Sequence, residues 1–400
     1  MLCFLQSLHH DKPSDTGELT AMKIIFWTSI VLIIYPYLLY PLAVLILGRI
    51  WPRKVERAAY LPTVTVLIPA YNEVDCIAAT IENKLDQGYP SEKLQVIVVS
   101  DGSDDGTDEV VNSFAKQGVV LLRREGREGK AAALNDAVRF ATGEIVIFSD
   151  ANTLFGANAV QRIAENFADP DVGYLTGSLG FISNGNHASG AGVQAYMRYE
   201  NLVRRIETRA GSIIGVNGGV DAIRRSLYVD TPPKLITDFI LPLSVIAGGH
   251  RVIFDPAITA FETPNTSLSC EFRMRVRVAL RALQGLTYMR TLLNPIHYPL
   301  AAFSLFSHKV LRYLGFVFIL GALLCNLSLA PGSGLYQSLL TLQLTVYGLA
   351  ILGLRQDIPG WLRKVTAVPS YFVLSNAAFA IATLRFLRGD TLAIWQPRAG

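Results

Sequence analysis

Charged residues are scarce in this chain, since Asp, Glu, Lys and Arg make up 17% of its 400 residues while hydrophobic residues make up 51%. Soluble domains usually carry about a quarter charged residues, so we expect part of this chain to face lipid. The net charge is only +4, and the 36 Lys and Arg residues are spread along the chain instead of forming a basic stripe. This distribution argues against nucleic acid as a partner.

Cysteine is also rare. The four cysteines lie far apart and form no Cys-x-x-Cys pair; they are Cys3, Cys76, Cys270 and Cys325. Their spacing indicates neither a zinc site nor a disulfide framework. A reducing compartment such as the cytosol therefore suits the middle of the chain.

Charge is absent altogether from Ile24 to Gly48. A bilayer core needs about 20 apolar residues in a helix, so we predict a transmembrane helix over residues 22–50 in which Pro36 and Pro41 are tolerated as kinks. A cleavable signal peptide is the alternative, but the apolar core is too long and no small-residue cleavage site precedes Arg49. Residues 1–21 show no apolar period and are predicted to form a disordered tail, with Met22 an equally good start.

Three further apolar stretches, residues 313–330, 335–354 and 366–384, predict transmembrane helices within 313–387, before a tail over 388–400. Basic residues cluster directly after the first span, so the positive-inside rule places the polar domain, residues 60–290, in the cytoplasm. Three later spans would carry the C-terminus to the opposite side, where Arg385, Arg388 and Arg398 run against the same rule. The prediction is a multi-pass protein of the inner membrane.

Residues 295–312 mix apolar side chains with His297, His308, Lys309 and Arg312. This mixture predicts a helix that lies in the membrane interface and contacts membrane lipid. A poor first turn of the next span is the alternative.

Two strand-turn-helix units open the polar domain. Val64–Ile68 is an apolar run that ends at Pro69-Ala70-Tyr71-Asn72-Glu73, and residues 95–100 lead into Asp101-Gly102-Ser103-Asp104-Asp105-Gly106-Thr107. Successive units of this kind predict an α/β nucleotide-binding fold, whose sheet binds ligands at the carboxyl ends of its strands. Taken alone, the Pro-x-x-Asn-Glu segment also fits turn chemistry with a helix cap.

Two acidic residues, Asp101 and Asp150, follow apolar strands and so lie where a ligand would bind. The residues from Asp101 to Gly106 imitate a calcium loop, but a strand precedes them and the twelfth position is Asn112 instead of Glu. We therefore expect Asp101 to be free to accept hydrogen bonds from a base or ribose.

Gly126-Arg127-Glu128-Gly129-Lys130 precedes a predicted helix over residues 131–141. A lysine beside open backbone N–H groups at a helix N-terminus attracts phosphate. The spacing is not that of a Walker loop, and a solvated loop is the alternative for Lys130.

Asp150 and Asn152 close the fourth predicted strand, and residues two apart in an extended chain point to the same side. They predict a shared divalent metal whose other positions are filled by substrate phosphates and water. An N-cap or a packing role is the alternative.

Read in order, these motifs resemble the family 2 glycosyltransferases, and more closely the membrane-bound branch with the synthases of cellulose, chitin, hyaluronan and poly-N-acetylglucosamine. The resemblance runs from about Met22 to Pro397. It implies a GT-A type α/β domain with a mixed, mostly parallel sheet, flanked by transmembrane helices. It also implies donor-binding residues, namely Pro69, Tyr71, Glu73 and Asp101 at the uridine, Lys130 at the diphosphate, and Asp150 with Asn152 at Mg²⁺ or Mn²⁺.

On the acceptor side, the resemblance selects Gly218 and Gly219, and it makes Asp238 in Thr237-Asp238-Phe239 the candidate catalytic base. Flanking apolar residues would partly bury this carboxylate, which raises its proton affinity. A capping aspartate would look the same. Thr237 stands where relatives often carry a first acid, so the electrostatic environment of Asp238 differs from theirs.

Processive relatives carry Gln-x-x-Arg-Trp near the last cytoplasmic helix, whereas Met274-Arg275-Val276-Arg277-Val278 stands here. Arg277 is kept and would neutralise the leaving diphosphate, but the Trp that would stack on an acceptor sugar is missing. This difference weakens the case for long-chain polymerisation. The arginines of residues 270–285 fit a basic surface against lipid headgroups as an alternative.

The sequence thus predicts an inverting transfer of a sugar from a UDP-sugar to a lipid-linked or growing saccharide acceptor, with an export partner for the product left open. One alternative is a transferase that acts on polyprenyl phosphate or diacylglycerol, and another is a catalytically silent membrane subunit. A transporter is disfavoured because the spans contain almost no charged residues.

Overall fold

The structure is a computed structural model that describes residues 15–181, 188–262, 268–355 and 358–391. Its polar domain is built on one eight-stranded sheet with the order β3-β2-β1-β4-β7-β6-β8-β5. The strands are β1 Val64–Ala70, β2 Leu94–Ser100, β3 Val119–Arg123, β4 Ile145–Phe148, β5 Leu154–Phe155, β6 Val172–Phe181, β7 Asp221–Arg224 and β8 Arg251–Glu262.

The helices, in chain order, are α1 Asp15–Ile34, α2 Leu39–Ile50, α3 Val74–Leu85, α4 Thr107–Ser113, α5 Lys130–Val138, α6 Ala159–Asn166, α7 Ala188–Ala210, α8 Thr237–Ala247, α9 Leu268–Tyr288, α10 Pro299–Leu305, α11 Leu311–Tyr313, α12 Gly315–Leu329, α13 Gly334–Leu352 and α14 Gly360–Leu387. Short 3₁₀ turns occupy Ser91–Lys93, Ala115–Gln117, Arg225–Leu227, Arg290–Leu293 and Ala330–Gly332, and a π-helix, Phe306–Val310, separates α10 from α11.

The first four strands are parallel to one another and apolar on both faces, as strands covered by helices on both sides must be. Alternate residues of β1 enter opposite cores, with Val66 in one and Leu67 in the other. Antiparallel β7 joins this half to β6, which pairs in parallel with β8. The predicted mixed, mostly parallel sheet is confirmed.

Strand register brings the predicted site to one edge of the sheet. Ala70 pairs with Ser100, and Leu67 pairs with Phe148, so β1, β2 and β4 end close together. Because β7 is antiparallel to β4, its first residue, Asp221, lies opposite Phe148. The loops after these strands and the start of β7 therefore meet.

The N-terminal helix differs from the prediction of a single span over residues 22–50. Two helices, α1 and α2, are separated by a turn over residues 35–38, because Pro36 lacks an amide hydrogen and its ring obstructs a continuous helix. Helix α1 also begins at Asp15, inside the predicted tail. Glu18 favours a helix N-terminus, since a negative charge complements its partial positive charge. Residues 1–14 of that tail lie outside the described residues.

In the described part of the chain, four helices are long and apolar enough to cross a membrane: Gly17–Ile34, Gly315–Gly332, Gly334–Leu352 and Gly360–Leu387. They confirm the prediction of long apolar helices near both ends of the chain. Helix α2, with 12 residues, is too short to cross a bilayer core of about 30 Å by itself. It packs instead on α7, where Tyr40 and Val44 meet Val203.

The contacts of α14 differ from those expected of a third C-terminal span. Ser370 Oγ donates to the carbonyl of Ala350 near the end of α13, at 2.9 Å. Farther along, Ala378 and Ala382 pack against Leu280 of α9. Gln284 Nε2, also on α9, then donates to the carbonyl of Asp390 at 2.9 Å. Helix α14 thus leaves the end of α13 and follows a helix of the polar domain.

Within the predicted interfacial segment, some apolar side chains are exposed, such as Ile296 (86%) and Leu300 (49%), while others, such as Leu305, are buried. His308 and Arg312 of this segment are buried, which its mixed sequence did not predict. His308 Nδ1 lies 2.7 Å from Glu207 Oε1, and Arg312 pairs with Glu200, both acids being on α7. Charges enter a protein interior only when they are paired in this way.

Candidate active site

The loops after β1 and β2 are tied to each other. Two hydrogen bonds join Asn72 to Asp104. Asn72 Nδ2 donates to Asp104 Oδ1 at 2.8 Å, and the backbone N–H of Asp104 donates to Asn72 Oδ1 at 3.1 Å. The backbone N–H of Glu73 donates to Thr107 Oγ1 at 2.9 Å. Asn72 has a φ of 53°, a left-handed conformation that asparagine tolerates better than most residues. The two loops form one wall of the site.

Tyr71 and Glu73, both predicted to bind the uridine, lie half-buried on this wall. The guanidinium of Arg127 stacks on the Tyr71 ring, with Cζ 3.7 Å from its centroid. Glu73 Oε2 accepts a hydrogen bond from the thiol of Cys76 at 3.1 Å. Pro69 lies within β1, in register with Val99. Sequence reasoning missed Arg127, although it stands in the Gly-Arg-Glu-Gly-Lys segment.

Asp101 is not free, contrary to the prediction. Its Oδ1 accepts from Arg124 Nη1 at 2.7 Å, and its Oδ2 accepts from the backbone N–H of Gly129 at 2.7 Å. The backbone N–H of Glu128 adds a third hydrogen bond, at 3.2 Å. The loop after β3 folds back onto the end of β2, which no sequence spacing reveals. Asp101 therefore fixes the loop that carries Lys130.

Lys130 begins α5 and connects two acidic residues. Its Nζ lies 2.6 Å from Asp150 Oδ1 and 3.8 Å from Asp238 Oδ2. Burial disfavours the charge on this amine, but Asp150 and Asp238 outweigh that effect and raise the pKa of Lys130 above its usual value. A permanent cation therefore stands between the predicted metal residue and the predicted base.

Asp150 and Asn152 lie on a tight turn, not on an extended strand as the prediction assumed. The backbone N–H of Thr153 donates to the Asp150 carbonyl at 3.2 Å, and β4 has already ended at Phe148. Both side chains are half-buried. Among the described residues, no three His, Cys, Asp or Glu side chains form a metal-binding group. One carboxylate and one amide fit Mg²⁺ or Mn²⁺ only when a diphosphate supplies further ligands.

Asp238 lies in the first turn of α8, and its side chain is 29% exposed. Thr237 Oγ1 donates to Asp238 Oδ1 at 3.2 Å. Gly218 passes so close that a Cβ there would lie 2.8 Å from Asp238 Oδ2, and its φ is +71°. A side chain at this position would both strain the backbone and cover the carboxylate. Gly218 thus leaves Asp238 accessible.

Gly219 follows with a φ of +72°, and a Cβ there would lie 2.9 Å from Oε1 of Glu262. Glu262 is buried at the end of β8 and accepts a hydrogen bond from Thr153 Oγ1 at 2.8 Å. Because neither residue has a side chain, Gly218 can approach the carboxylate of Asp238 and Gly219 that of Glu262.

Asp221 belongs to the acceptor-side segment that the resemblance selected, directly after Gly218-Gly219-Val220, but no role was predicted for it. It is fully buried, and Tyr174 Oη donates to its Oδ2 at 3.0 Å. Burial, and after it the charge of Asp238, raises the pKa of Asp221 to about 7. Only the antiparallel pairing of β7 with β4 brings this residue to the site, so a sequence motif does not reveal it.

Arg277, predicted to contact the diphosphate, lies half-buried on α9. One turn later, Arg281 has its pKa lowered by burial and by Arg277, while Asp238 acts in the opposite direction. Arg281 therefore lies within electrostatic reach of Asp238. Helix α9 comes this close to α8 because Gly285 faces the Phe239 ring, where a Cβ would lie 2.6 Å from Cδ1.

Comparison with known proteins identifies the domain. Residues 65–229 match the family model described as glycosyl transferase family 2, which confirms the predicted resemblance. The chain is 27% identical over 225 residues to a poly-β-1,6-N-acetyl-D-glucosamine synthase of Staphylococcus aureus, covering 55% of this chain and 54% of that protein. It is also 27% identical over 243 residues to a probable glycosyltransferase of Bacillus subtilis, covering 57% of each. The chain thus spans about half the length of the curated relatives it matches.

Among solved structures, a mannosyltransferase from Pyrobaculum calidifontis in complex with GDP-mannose and Mn²⁺ superposes with a TM-score of 0.67 at 24% identity. The alignment covers 91% of this chain and 99% of that one. This likeness confirms the GT-A fold.

Proposed function

We propose, from the glycosyltransferase family 2 domain that this chain carries over residues 65–229, that it transfers a sugar with inversion from a UDP-sugar to an acceptor hydroxyl. The acceptor would be a lipid-linked or growing saccharide at the cytoplasmic face of the inner membrane. One observation carries the proposal: Lys130 contacts Asp150 and Asp238 together, so a metal residue, a phosphate-binding cation and a base converge.

Asp238 would act as the general base. It would take the proton from the acceptor hydroxyl while that oxygen forms a bond to the anomeric carbon and the bond to the diphosphate breaks. The accessible carboxylate beside Gly218 suits this role, because an acceptor can reach it without displacing a side chain. A positioned base is worth about 10² to 10⁴ in rate.

The departing diphosphate gains negative charge as the sugar leaves. Lys130 and the N-terminal N–H groups of α5 face this position, and Arg281 with Arg277 would approach from α9. Asp150 and Asn152 would hold Mg²⁺ or Mn²⁺, which as a Lewis acid stabilises the same charge. Tyr71, Glu73 and Arg127 would line the nucleoside pocket, with Asp101 keeping the adjoining loop in place.

The direct test is turnover of a panel of UDP-sugars by purified protein in detergent, with and without Mg²⁺ or Mn²⁺. Asp238→Asn should lower turnover by about 10² to 10⁴ and leave UDP binding intact, because the amide keeps the shape but cannot take a proton. Asp230→Asn, an exposed acid paired with Arg139, is the matched control. Near-normal turnover by Asp238→Asn would refute the assignment of the base.

A transferase that acts on polyprenyl phosphate or diacylglycerol is the second candidate. It is favoured by Met274 and Val278, which replace the Gln and Trp of processive relatives. Product analysis with labelled donor separates the two acceptors. A catalytically silent subunit would show no metal-dependent donor hydrolysis, and co-purification tests for an export partner.

For the membrane, we propose that α1, α12 and α13 cross the bilayer and that α14 does not. Arg312, on α11 directly before α12, pairs with Glu200 of the polar domain. Ala350, near the end of α13, accepts a hydrogen bond from Ser370 of α14. Helix α14 then follows α9 to Asp390. Arg385 and Arg388 would therefore lie on the cytoplasmic side, in agreement with the positive-inside rule.

A further inference from the structure

A cavity of about 230 Å³ lies where the polar domain meets the apolar helices. We call it the junction cavity. Its walls come from α2, the end of α7, the turn after α8, and α10. The apolar part of the wall comprises Val44, Leu47, Ile246, Leu300 and Phe303, and the polar part Arg53, Glu207, Ser212, His250 and Ser304.

The inner end of the junction cavity carries a carboxylate with one unused oxygen. Glu207 is 1% exposed, and its Oε1 accepts from Tyr40 Oη at 2.6 Å and lies 2.7 Å from His308 Nδ1. Its Oε2 is buried and has no hydrogen-bond partner among the described residues. A buried acceptor of this kind is costly unless a donor reaches it. Glu207 is one of the residues that line the cavity, so a donor that enters the cavity approaches this carboxylate.

Glu207 is also charged. Burial alone would raise its pKa, but the charge of His308 and hydrogen bonds from His308 and Tyr40 outweigh burial and hold the pKa of Glu207 below its usual value. A charged acceptor favours a cationic donor, because a hydrogen bond between two charged groups is about twice as strong as one between neutral groups.

The more exposed part of the cavity wall carries an arginine and an apolar rim. Arg53 pairs there with Asp171 at 3.4 Å, and both side chains are more than half exposed, so this surface pair is weak and can yield to a phosphate. His250 lies beside it in the cavity wall. Leu300 and Phe303 are 49% and 37% exposed on the outer side of α10. Such a rim suits acyl chains.

We propose that the junction cavity binds a membrane phospholipid with a primary-amine headgroup, with its ammonium on Glu207, its phosphate at Arg53 and His250, and its acyl chains along Leu300 and Phe303. The carboxylate at the inner end disfavours anionic headgroups. A choline headgroup carries the same charge but has no N–H to donate to Oε2. The preference for a primary amine therefore follows from Oε2 of Glu207. It does not depend on the transferase reaction.

Native mass spectrometry of the full chain in mild detergent tests the proposal by titration with dioleoyl phosphatidylethanolamine, its N-methylated forms, phosphatidylcholine and phosphatidylglycerol. We expect the primary amine to bind about tenfold more tightly than phosphatidylcholine, as for one hydrogen bond to a charged group. Affinity should fall at the step that removes the last N–H. Equal affinity along the methylation series, or preference for phosphatidylglycerol, would overturn the proposal without any variant.

Two substitutions locate the site. Glu207→Gln should abolish the preference for the amine, whereas Glu56→Gln, which makes the same change on the exposed surface, should keep it. Arg53→Gln should weaken all three phospholipid classes about equally, and Arg49→Gln, exposed and outside the cavity, should not. A preference that survives Glu207→Gln would contradict the assignment.

Discussion

Asp221 places a second carboxyl group behind the proposed base, in a position where it titrates near neutral pH. Its pKa of about 7 results first from burial and then from Asp238. Lys130 partly offsets this rise, as do Tyr174 and Thr176 through their side-chain hydrogen bonds. Above neutral pH, the ionised pair of acids would compete for Lys130, on which the proposed diphosphate site depends.

We predict that Asp221→Asn removes a pH dependence of stability. Because the folded pKa exceeds the ordinary value of 3.8, the native state keeps a proton that the unfolded state has lost between about pH 4 and pH 7. Stability should therefore fall as pH rises through that window, by at most about 4 kcal/mol. Thermal unfolding from pH 4 to pH 8 should show this decline in the wild type and a flatter curve in the variant.

The same variant should lose an inflection near pH 7 in kcat/KM. Asp230→Asn serves as control for both measurements, since its carboxylate is exposed. A wild-type stability that is constant from pH 4 to pH 8 would contradict the assigned titration.

At the residue scale, sequence reasoning selected Lys130, Asp150 and Asp238, which the structure brings together, because a strand end or a helix start places a polar side chain at a predictable edge. It was wrong about Asp101, whose partners Arg124 and Gly129 arrive through a returning loop. It predicted no role for Asp221, since burial by a distant strand leaves no local pattern.

At the scale of elements, the contact between α8 and α9 sets the distance from Arg277 and Arg281 to the proposed base, Asp238. Gly285 faces Phe239, and a Cβ would lie 2.6 Å from its ring. Helix α9 must therefore shift when this position gains even one methyl group, and Arg281 shifts with it.

Gly285→Ala should lower kcat by about tenfold, an effect equal to a loss of about 1.4 kcal/mol in transition-state stabilisation. Overpacking costs about 1 to 3 kcal/mol in stability, part of which the better helix propensity of alanine offsets. The measurements are kcat and the thermal midpoint. Gly348→Ala on α13 is the control, because no atom lies within 4 Å of the added Cβ, and it should lower neither kcat nor the thermal midpoint. Unchanged kcat in Gly285→Ala would show that α9 does not position the site.

Strands and helices of the polar domain were predictable from apolar runs and turn residues. The break between α1 and α2 was not, because Pro36 and Pro41 look alike in sequence. Pro36 lies in the turn, whereas Pro41 lies in the first turn of α2, which accommodates proline. Composition predicted α14 as a span, and α14 is long and apolar enough to be one. Its contacts with α9, on which the proposal of three crossings depends, leave no pattern in the sequence.

At the scale of the whole molecule, three crossings give an orientation that reporter fusions can test. A fluorescent protein fused after Asp390 should fold and fluoresce in a bacterial host, and alkaline phosphatase at that position should be inactive. The same reporters placed after Gly332, between α12 and α13, should give the reverse result. Active alkaline phosphatase after Asp390 would show that α14 crosses the membrane and would contradict the proposal of three crossings.

The buried pairs between α7 and residues 308–312 bear on how the protein can be handled. Glu200 pairs with Arg312 and Glu207 contacts His308, and both partners follow the polar domain in sequence. Excision of residues 60–290 would strand two acids in the interior and loosen the helix that carries them. We therefore expect the apolar helices and the polar domain to unfold as one cooperative unit, and a version without the apolar helices needs replacements for those acids, not only a shorter chain.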